Sequence, residues 1–424
     1  MSRVAGVKGM NDLLPPDSAA WEHLESIVRS LCHRYGYREL RTPVLEDTAL
    51  FVRSVGEATD IVGKEMYTFE DKAGRSLSLR PEGTAPAARA YIEHAVANRE
   101  PVTRWFYMGP MFRYERMKTG RYRQFHQLGL EGYGAEEPAV EVEQMELVVE
   151  LLRGLGLRDI TLHINSLGDE ACRPAFQASL VGYLRDHRES LCADCQVRLE
   201  KNPLRVLDCK NPGCQQVAAG APSILDALCP DCEAHFAEVQ RKLTLLEIPF
   251  KVDARIMRGL DYYTRTTFEF IAADPVLGTA STVGGGGRYD RLIKQLGGPQ
   301  TPAVGLALGL ERLVLLMEAG GSAHVKAPDL FVVTAEPVAA DPAFTWVSRL
   351  RRAGVAVEFD PRGGSLKSQL KRADKSGATW ALVLGGAELE SGQAALKPLR
   401  GGEPEPVRLD DLAEVLRAKR TRTG

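Results

Sequence analysis

Arg113 and Glu115, then Gln127 and Glu131, lie at alternate positions of two neighbouring stretches, WFYMGPMFRYE and RQFHQLGLEGYG. Side chains two apart in an extended chain share a face, so each stretch presents charge or an amide on one side. A guanidinium grips phosphate or carboxylate, and a carboxylate or amide oxygen accepts from an ammonium or a ring N–H. The set suits a ligand that carries both signs of charge. Gly129, between Gln127 and Glu131, leaves a gap where side-chain volume would otherwise stand, and that gap outlines a pocket. Any one of these residues alone would pass for the solvated face of an edge hairpin.

Other candidates sit at breaks in the pattern. Arg80-Pro81-Glu82-Gly83-Thr84 puts an acid and a hydroxyl at a strand-to-helix turn, a usual place for functional groups. Glu82 also fits the role of a helix-start acid favoured by the macrodipole. Arg258 and Tyr262, with Tyr263 following, occur in the turn MRGLDYY; the tyrosines suit a core or a lid, whereas Arg258 beside Gly259 is harder to explain by packing. Four glycines, Gly284 to Gly287, precede a helix expected near Tyr289 and let backbone approach a flat ligand. Arg312 falls in the first turn of a helix expected from Leu310, where the dipole opposes a cation by about 0.3–1 kcal/mol. A cation held there implies an anion in front of it, or else a pair with Glu311. The chain contains neither GxGxxG nor GxxxxGK[ST], so a nucleotide site here is of another type.

The elements that must position these residues can be read from periodicity. The two central stretches form an antiparallel hairpin whose polar tip carries Arg116, Lys118 and Arg121. Helices are expected from Asp17 to Gly36, from near Glu46, and from Pro138 to Arg153. ITLHINSLG reads as a strand, and residues 170–245 differ enough in character to form an inserted subdomain. Beyond the linker EAGGSAHVKAP, strands and helices alternate as in a separate α/β domain. There Lys367, Lys371 and Lys375 recur at helical spacing as one cationic stripe, either a solvated face or a patch for an RNA backbone. The expected divisions are 1–325, interrupted by 170–245, and 326–424.

Composition sets outer limits. Lys plus Arg at 54 nearly balances Asp plus Glu at 56, so a nucleic-acid partner would be met by local patches. No apolar run suits a membrane span and the N-terminus lacks a signal-peptide core, so the expected location is cytoplasmic. Cys32 and Cys172 stand alone, while Cys192, Cys195, Cys209, Cys214, Cys229 and Cys232 cluster. In a reducing compartment CxxC pairs point to structural Zn2+ more readily than to disulfides. The unequal third pair leaves the ligand set open, with inert thiols as the alternative.

The Pro43 region, the FRYER…RQFHQLGLE hairpin and GLALGLERL resemble motifs 1, 2 and 3 of the class II aminoacyl-tRNA synthetases. RGLDYYTRTTFE and GGGGRYD are narrower, and resemble the two signature sequences of the histidyl-tRNA synthetase family within that class. With LRPEGT, the resemblance runs from about Gly6 through the last helix. It implies an α+β catalytic domain, an antiparallel sheet with flanking helices, that dimerises through motif 1, with an inserted subdomain and a C-terminal α/β anticodon-binding domain. The implied reaction joins L-histidine and ATP into histidyl-adenylate and pyrophosphate, then transfers histidine to the 3′ end of tRNA(His).

The resemblance also implies roles. Arg113 would grip the α-phosphate and carboxylate, Arg312 the γ-phosphate, and Arg258 the α-phosphate, with Mg2+ on the β and γ phosphates. Glu115, Arg121 and Phe125 would complete the ATP site. Glu82, Gly83 and Thr84 would meet the α-amino group, and Gln127, Glu131, Tyr262, Tyr263 and Tyr289 would surround histidine. Arg116, Lys118 and Arg121, with Lys367 and Lys371, would meet tRNA. A regulatory paralogue without aminoacylation would lack the C-terminal domain and degrade the Arg258 motif, yet both are present. A noncatalytic RNA-binding protein would have no use for Glu82, Gln127 and Glu131 set among glycines.

Overall fold

The alternation beginning near Trp105 forms two ten-residue strands, Thr103–Phe112 and Gln124–Tyr133. They pair antiparallel, with Trp105 opposite Glu131, Tyr107 opposite Gly129 and Gly109 opposite Gln127. The computed structural model describes residues 4–56, 59–207, 209, 211–256, 262–278, 281–321 and 327–421. Two compact units divide the chain, Met1–His324 and Val325–Gly424.

In the first unit the hairpin lies inside an eight-stranded sheet. From one edge the order is Arg38–Glu39, Thr103–Phe112, Gln124–Tyr133, Ala303–Gly309, Thr282–Arg288, Thr264–Ala272, Ile160–Ser166 and Phe250–Val252. The inner pairs are antiparallel, but the pair at each edge is parallel, so the sheet expected to be antiparallel is mixed. Both edge strands are short, which limits the unpaired backbone a sheet edge offers to another chain.

Parity along the hairpin sorts its two faces. Leu128 and Leu130, with Leu306 and Leu308 on the next strand, turn to helices Ser18–Arg34, Pro138–Gly154 and Leu310–Ala319 in the main apolar core. Odd-numbered Gln127, Gly129 and Glu131 therefore face the opposite side, where helix Thr84–Glu93 and a cluster including Tyr91, Tyr133, Tyr262, Tyr263 and Tyr289 lie.

The four-glycine run is part of strand Thr282–Arg288, and the helix expected near Tyr289 is the short Leu292–Gln295. At that strand's end Arg288 is wholly buried, donating to Glu141 at 2.7 Å and to the Ala135 carbonyl at 2.8 Å, with Asp290 3.1 Å away. His235 Nε2 lies 2.6 Å from the same Glu141. Burial alone would raise the Glu141 carboxyl, but the His235 hydrogen bond and the Arg288 charge outweigh it and hold it below its usual value. These bonds fix the glycine strand against helix Pro138–Gly154.

The inserted segment has a core of its own, including Phe176, Leu180, Leu199, Cys195 and Cys214 and ending at Ile224. Helix Pro230–Leu245 instead sends Phe236, Val239 and Leu243 into the main core, so the self-contained part of 170–245 stops short of that helix.

The second unit is a five-stranded sheet ordered Val357–Phe359, Leu330–Thr334, Trp380–Leu384, Gln393–Pro398, Glu405–Arg408. Its first three strands are parallel and the last two form an antiparallel hairpin. Gln369 of helix Leu366–Ser376 accepts from Thr334 N–H at 3.0 Å and donates to the Thr334 carbonyl at 2.9 Å, locking the helix to strand Leu330–Thr334. Among the described residues no helix is long and apolar enough to cross a membrane.

Candidate functional site

A cavity opens on the side of the sheet that carries Gln127. Four elements line it: Glu82 and Thr84 from the turn before helix Thr84–Glu93, Phe125 and Gln127 from the hairpin, Gly284 and Gly285 from the glycine strand, and Gly309 and Arg312 at the start of helix Leu310–Ala319. Arg113, Glu115 and Arg121 from the hairpin tip complete the wall, together with Tyr262 and Tyr263.

One region of the wall is rich in acceptors. Glu82 accepts from the N–H groups of Thr84 at 2.7 Å and Ala85 at 2.9 Å, so it caps the helix and also faces the cavity. Burial raises its carboxyl against those two donors. The Gln127 side-chain oxygen is closed off from water with no hydrogen-bond partner among the described residues, which marks an acceptor waiting for a ligand donor.

Behind this wall lies Glu131, completely buried. Its Oε1 accepts from the hydroxyls of Thr84 at 2.8 Å and Tyr107 at 3.2 Å, and its Oε2 from Tyr289. Burial is the main cause that pushes its carboxyl up to about 8. Glycines make this possible. A Cβ on Gly305, directly opposite Glu131, would stand 2.0 Å from the carboxylate oxygen. A Cβ on Gly129 would stand 2.0 Å from the Tyr107 ring, and one on Gly83 2.2 Å from it.

The other region is cationic. Arg113 Nε donates to the Pro81 carbonyl at 2.8 Å, and its guanidinium lies 5.2 Å from the Phe125 ring centre. Arg121 pairs with Glu115 at 3.1 Å. Arg312 donates to the carbonyls of Gly120 and Thr282. Glu311 does not pair with it: that carboxylate accepts from the His126 backbone N–H at 2.8 Å and lies 3.0 Å from His126 Nδ1. Burial, and after it the charge of Arg121, hold the Arg312 guanidinium below its ordinary value. Arg113 is the cation within electrostatic reach of both Glu82 and Arg312.

One expectation is corrected. The gap at Gly129 is not ligand space but the seat of the Tyr107 ring, and Gly83 packs on that ring instead of lining the cavity. Glu131 and Tyr289 stand behind the wall. Arg121 turns into the cavity toward Glu115, while Arg116 and Lys118 are exposed at the tip. Arg258 lies outside the described residues. Lys367 and Lys371 are exposed in the second unit, and nearby Asp360 pairs with Arg362 at 2.9 Å and with Arg372. Sequence reasoning missed Tyr107, whose signal was the pair of glycines, Gly83 and Gly129, that make room for one ring.

The family model described as Histidyl-tRNA synthetase matches residues 9–168 and 213–313, and one described as Anticodon binding domain matches 329–419. A histidine–tRNA ligase of Anaeromyxobacter dehalogenans is 52% identical over 412 residues, covering 97% of this chain and 99% of that one. One from Syntrophotalea carbinolica is 47% identical over 416 residues, covering 98% and 99%. The crystal structure of apo S. aureus histidyl-tRNA synthetase superposes with a TM-score of 0.82 at 37% identity, covering 98% of this chain and 100% of that one. The Nostoc sp. PCC 7120 histidyl-tRNA synthetase structure, with a TM-score of 0.74 at 20% identity over 98% and 100%, shares the fold.

Two outcomes follow from the Glu131 surroundings. Gly129→Ala sets a methyl against the Tyr107 ring and is expected to cost about 1–3 kcal/mol; unchanged denaturant unfolding would reject the packing. The second concerns pH. With Glu131 raised from 4.5 to about 8, the folded chain keeps a proton that the unfolded chain gives up. Its stabilisation is complete below the unfolded value and is lost as pH rises through the folded one. Thermal unfolding of ligand-free protein should therefore fall more steeply between about pH 5 and about pH 8 than that of Glu131→Gln, and parallel curves would count against it.

Proposed function

Because the chain belongs to the histidyl-tRNA synthetase family and is an ATP-dependent histidine–tRNA ligase, we propose that the cavity of the first unit activates L-histidine with ATP. The carrying observation is Arg312, half-buried, paired with no carboxylate among the described residues, and facing the same cavity as Arg113 and Arg121. Three guanidiniums gathered this way favour a polyphosphate.

Histidine occupies the acceptor region. Glu82 and Thr84 receive the α-ammonium, the Gln127 oxygen takes an N–H, and Tyr262 and Tyr263 flank the ring. Glu131, through Thr84 and the tyrosine hydroxyls, sets the polarity that tells an imidazole from an apolar side chain of similar size. Arg113, between the two regions, holds the histidine carboxylate beside the α-phosphate. A carboxylate oxygen then bonds to phosphorus as the bond to the bridging oxygen breaks, and pyrophosphate leaves.

Arg312 and Arg121 stabilise the departing charge, and Arg258 is assigned to the α-phosphate. Mg2+ would supply further neutralisation, and Glu115 and Glu311, the cavity carboxylates near Arg312, would hold it. In the second step the terminal ribose hydroxyl of tRNA(His) attacks the adenylate carbonyl and AMP leaves. The exposed Arg116 and Lys118 meet the acceptor end, while Lys367 and Lys371 belong to the anticodon-binding unit.

Histidine-dependent ATP–pyrophosphate exchange on tRNA-free protein tests the assignment. Arg312→Ala is expected to lower exchange by about 10²–10³, and Gln127→Leu to raise the histidine KM more than the ATP KM. Unchanged exchange in Arg312→Ala, or a Gln127→Leu defect confined to ATP, would reject the orientation. We place a homodimer contact beside Pro43, at a small separate sheet of strands Leu45–Asp47, Ser76–Leu79 and Tyr67–Glu70, where Val44, Leu45 and Phe69 are exposed. Sedimentation should show a dimer that Leu45→Asp and Phe69→Asp together weaken, and a monomeric parent protein would remove the contact.

A further inference from the structure

Seven of the eight cysteines fall into two separate groups. Cys192, Cys195, Cys209 and Cys214 form one; Cys172, Cys229 and Cys232 form the other with Asp169, and the donor atoms of each group lie within 4.8 Å of one another. The pairing is not the one that sequence spacing implied. The unequal pair Cys209 and Cys214 joins Cys192-x-x-Cys195, while Cys229-x-x-Cys232 meets Cys172, which stands alone in the sequence. Cys32 is left over, buried in the main core. Neither group lines the catalytic cavity.

The first group has the dimensions of a tetrahedral thiolate site. Cys192 Sγ and Cys209 Sγ are 3.9 Å apart, against an S···S edge of about 3.8 Å implied by Zn–S bonds of about 2.3 Å. That separation is far beyond a disulfide bond of about 2.05 Å. Backbone N–H groups point at the sulfurs: Cys192 N–H donates to Cys214 Sγ at 3.2 Å and Asn211 N–H to Cys209 Sγ at 3.4 Å. Donors of this kind favour thiolate over thiol and orient ligands around an ion. Cys195 and Cys214 also belong to the small core of Phe176, Leu180 and Leu199, and cores of this size commonly need a metal.

The second group is built at a junction. Cys172 stands at the start of helix Arg173–Asp186, and Cys229 and Cys232 at the start of Pro230–Leu245. Cys229 N–H donates to Cys172 Sγ at 3.0 Å. Asp169 Oδ1 lies 3.6 Å from Cys172 Sγ and 3.8 Å from Cys229 Sγ. Asp169 also accepts from Ala171 N–H at 2.9 Å and has Arg265 3.8 Å away. Gly168 is required for the approach: a Cβ there would stand 2.7 Å from Cys172 Cβ, and its φ is +58°. Gly168 follows strand Ile160–Ser166 closely, and its carbonyl accepts from Arg265 N–H at 2.8 Å. One ion would therefore tie the entry and exit of the insertion to the catalytic sheet.

We propose that this chain binds two structural zinc ions: one through Cys192, Cys195, Cys209 and Cys214, the other through Cys172, Cys229, Cys232 and Asp169. Four thiolates in a tetrahedral set select zinc or an iron–sulfur centre, and donors this close together surround a single ion. A thiolate-rich set with one carboxylate also suits zinc better than magnesium or calcium. The proposal is independent of the catalytic reading.

Elemental analysis of the full chain, purified under reducing conditions without chelator, should give two zinc ions per chain. Cys195→Ser with Cys214→Ser should lose one, and Cys229→Ser with Cys232→Ser the other. Should either double variant fail to fold, the parent protein still decides. Exchange of Co2+ for zinc should give the absorption of two tetrahedral thiolate sites, and a mercurial should release two zinc ions. Iron with acid-labile sulfide would overturn the metal. A single zinc that both double variants abolish would overturn the two centres, and metal-free protein whose thiols all titrate and take up no Co2+ would overturn the sites altogether.

Discussion

Glu131 sits wholly out of water with no ion pair among the described residues, held by the hydroxyls of Thr84, Tyr107 and Tyr289. An isolated buried carboxylate is so costly to ionise that it takes up a proton instead, in accord with a carboxyl pushed up to about 8. The local construction serves this one group. Gly305 makes room for its oxygen, Gly129 and Gly83 admit the Tyr107 ring, and Thr84 reaches back from the helix start that Glu82 caps. The hairpin, the adjacent strand and the first turn of helix Thr84–Glu93 are thereby fixed to a single point. Glu131 therefore shapes the cavity from behind, while Glu82, Thr84 and Gln127 line it.

Much of this was legible in the sequence. Period-two alternation placed Gln127 and Glu131 on one face of a hairpin, and the register confirms that they share it. The helix from Leu310 begins where periodicity put it. What failed to show were relations across the fold. A glycine in a strand says that volume is missing, not what fills it; at Gly129 the filler is a ring from the neighbouring strand. The four glycines read as room for a flat ligand, yet Gly284 and Gly286 are where the adjacent strand comes too close for any Cβ. The choice between an anion and Glu311 as the partner of Arg312 was equally hidden, since it depends on His126, remote in sequence, taking that carboxylate.

The same limit governs the outlying parts. In the second unit three strands were evident from their apolar runs, but the hairpin Gln393–Pro398 with Glu405–Arg408 was masked by its prolines. Pro406 is tolerated because its strand is the outermost of the sheet. The lysine stripe was legible, whereas the pairing of Asp360 with Arg362 and Arg372 was not. Cysteine spacing foretold thiolate pairs but not their partners. The order in which helix starts come together in space decides that Cys172 and Asp169 complete the set with Cys229 and Cys232.

Charge balance then bears on the proposed chemistry. Around Arg312 the described residues gather three guanidiniums, Arg113, Arg121 and Arg312, against two carboxylates, Glu115 and Glu311. A single positive charge in surplus is less than a triphosphate brings, so these side chains alone leave the ligand partly unneutralised, which is the physical ground for the Mg2+ proposed with it. The protein's share is geometric more than coulombic. Arg113 is fixed by the Pro81 carbonyl and the Phe125 ring, and Arg312 by two backbone carbonyls, so neither must be ordered when ATP arrives. Preorganised cations act most strongly where charge develops at the moment of bond breaking. A cavity in which backbone holds Arg113 and Arg312, with Gln127 in the same wall, is arranged to hold two reactants in line more than to bind either one tightly.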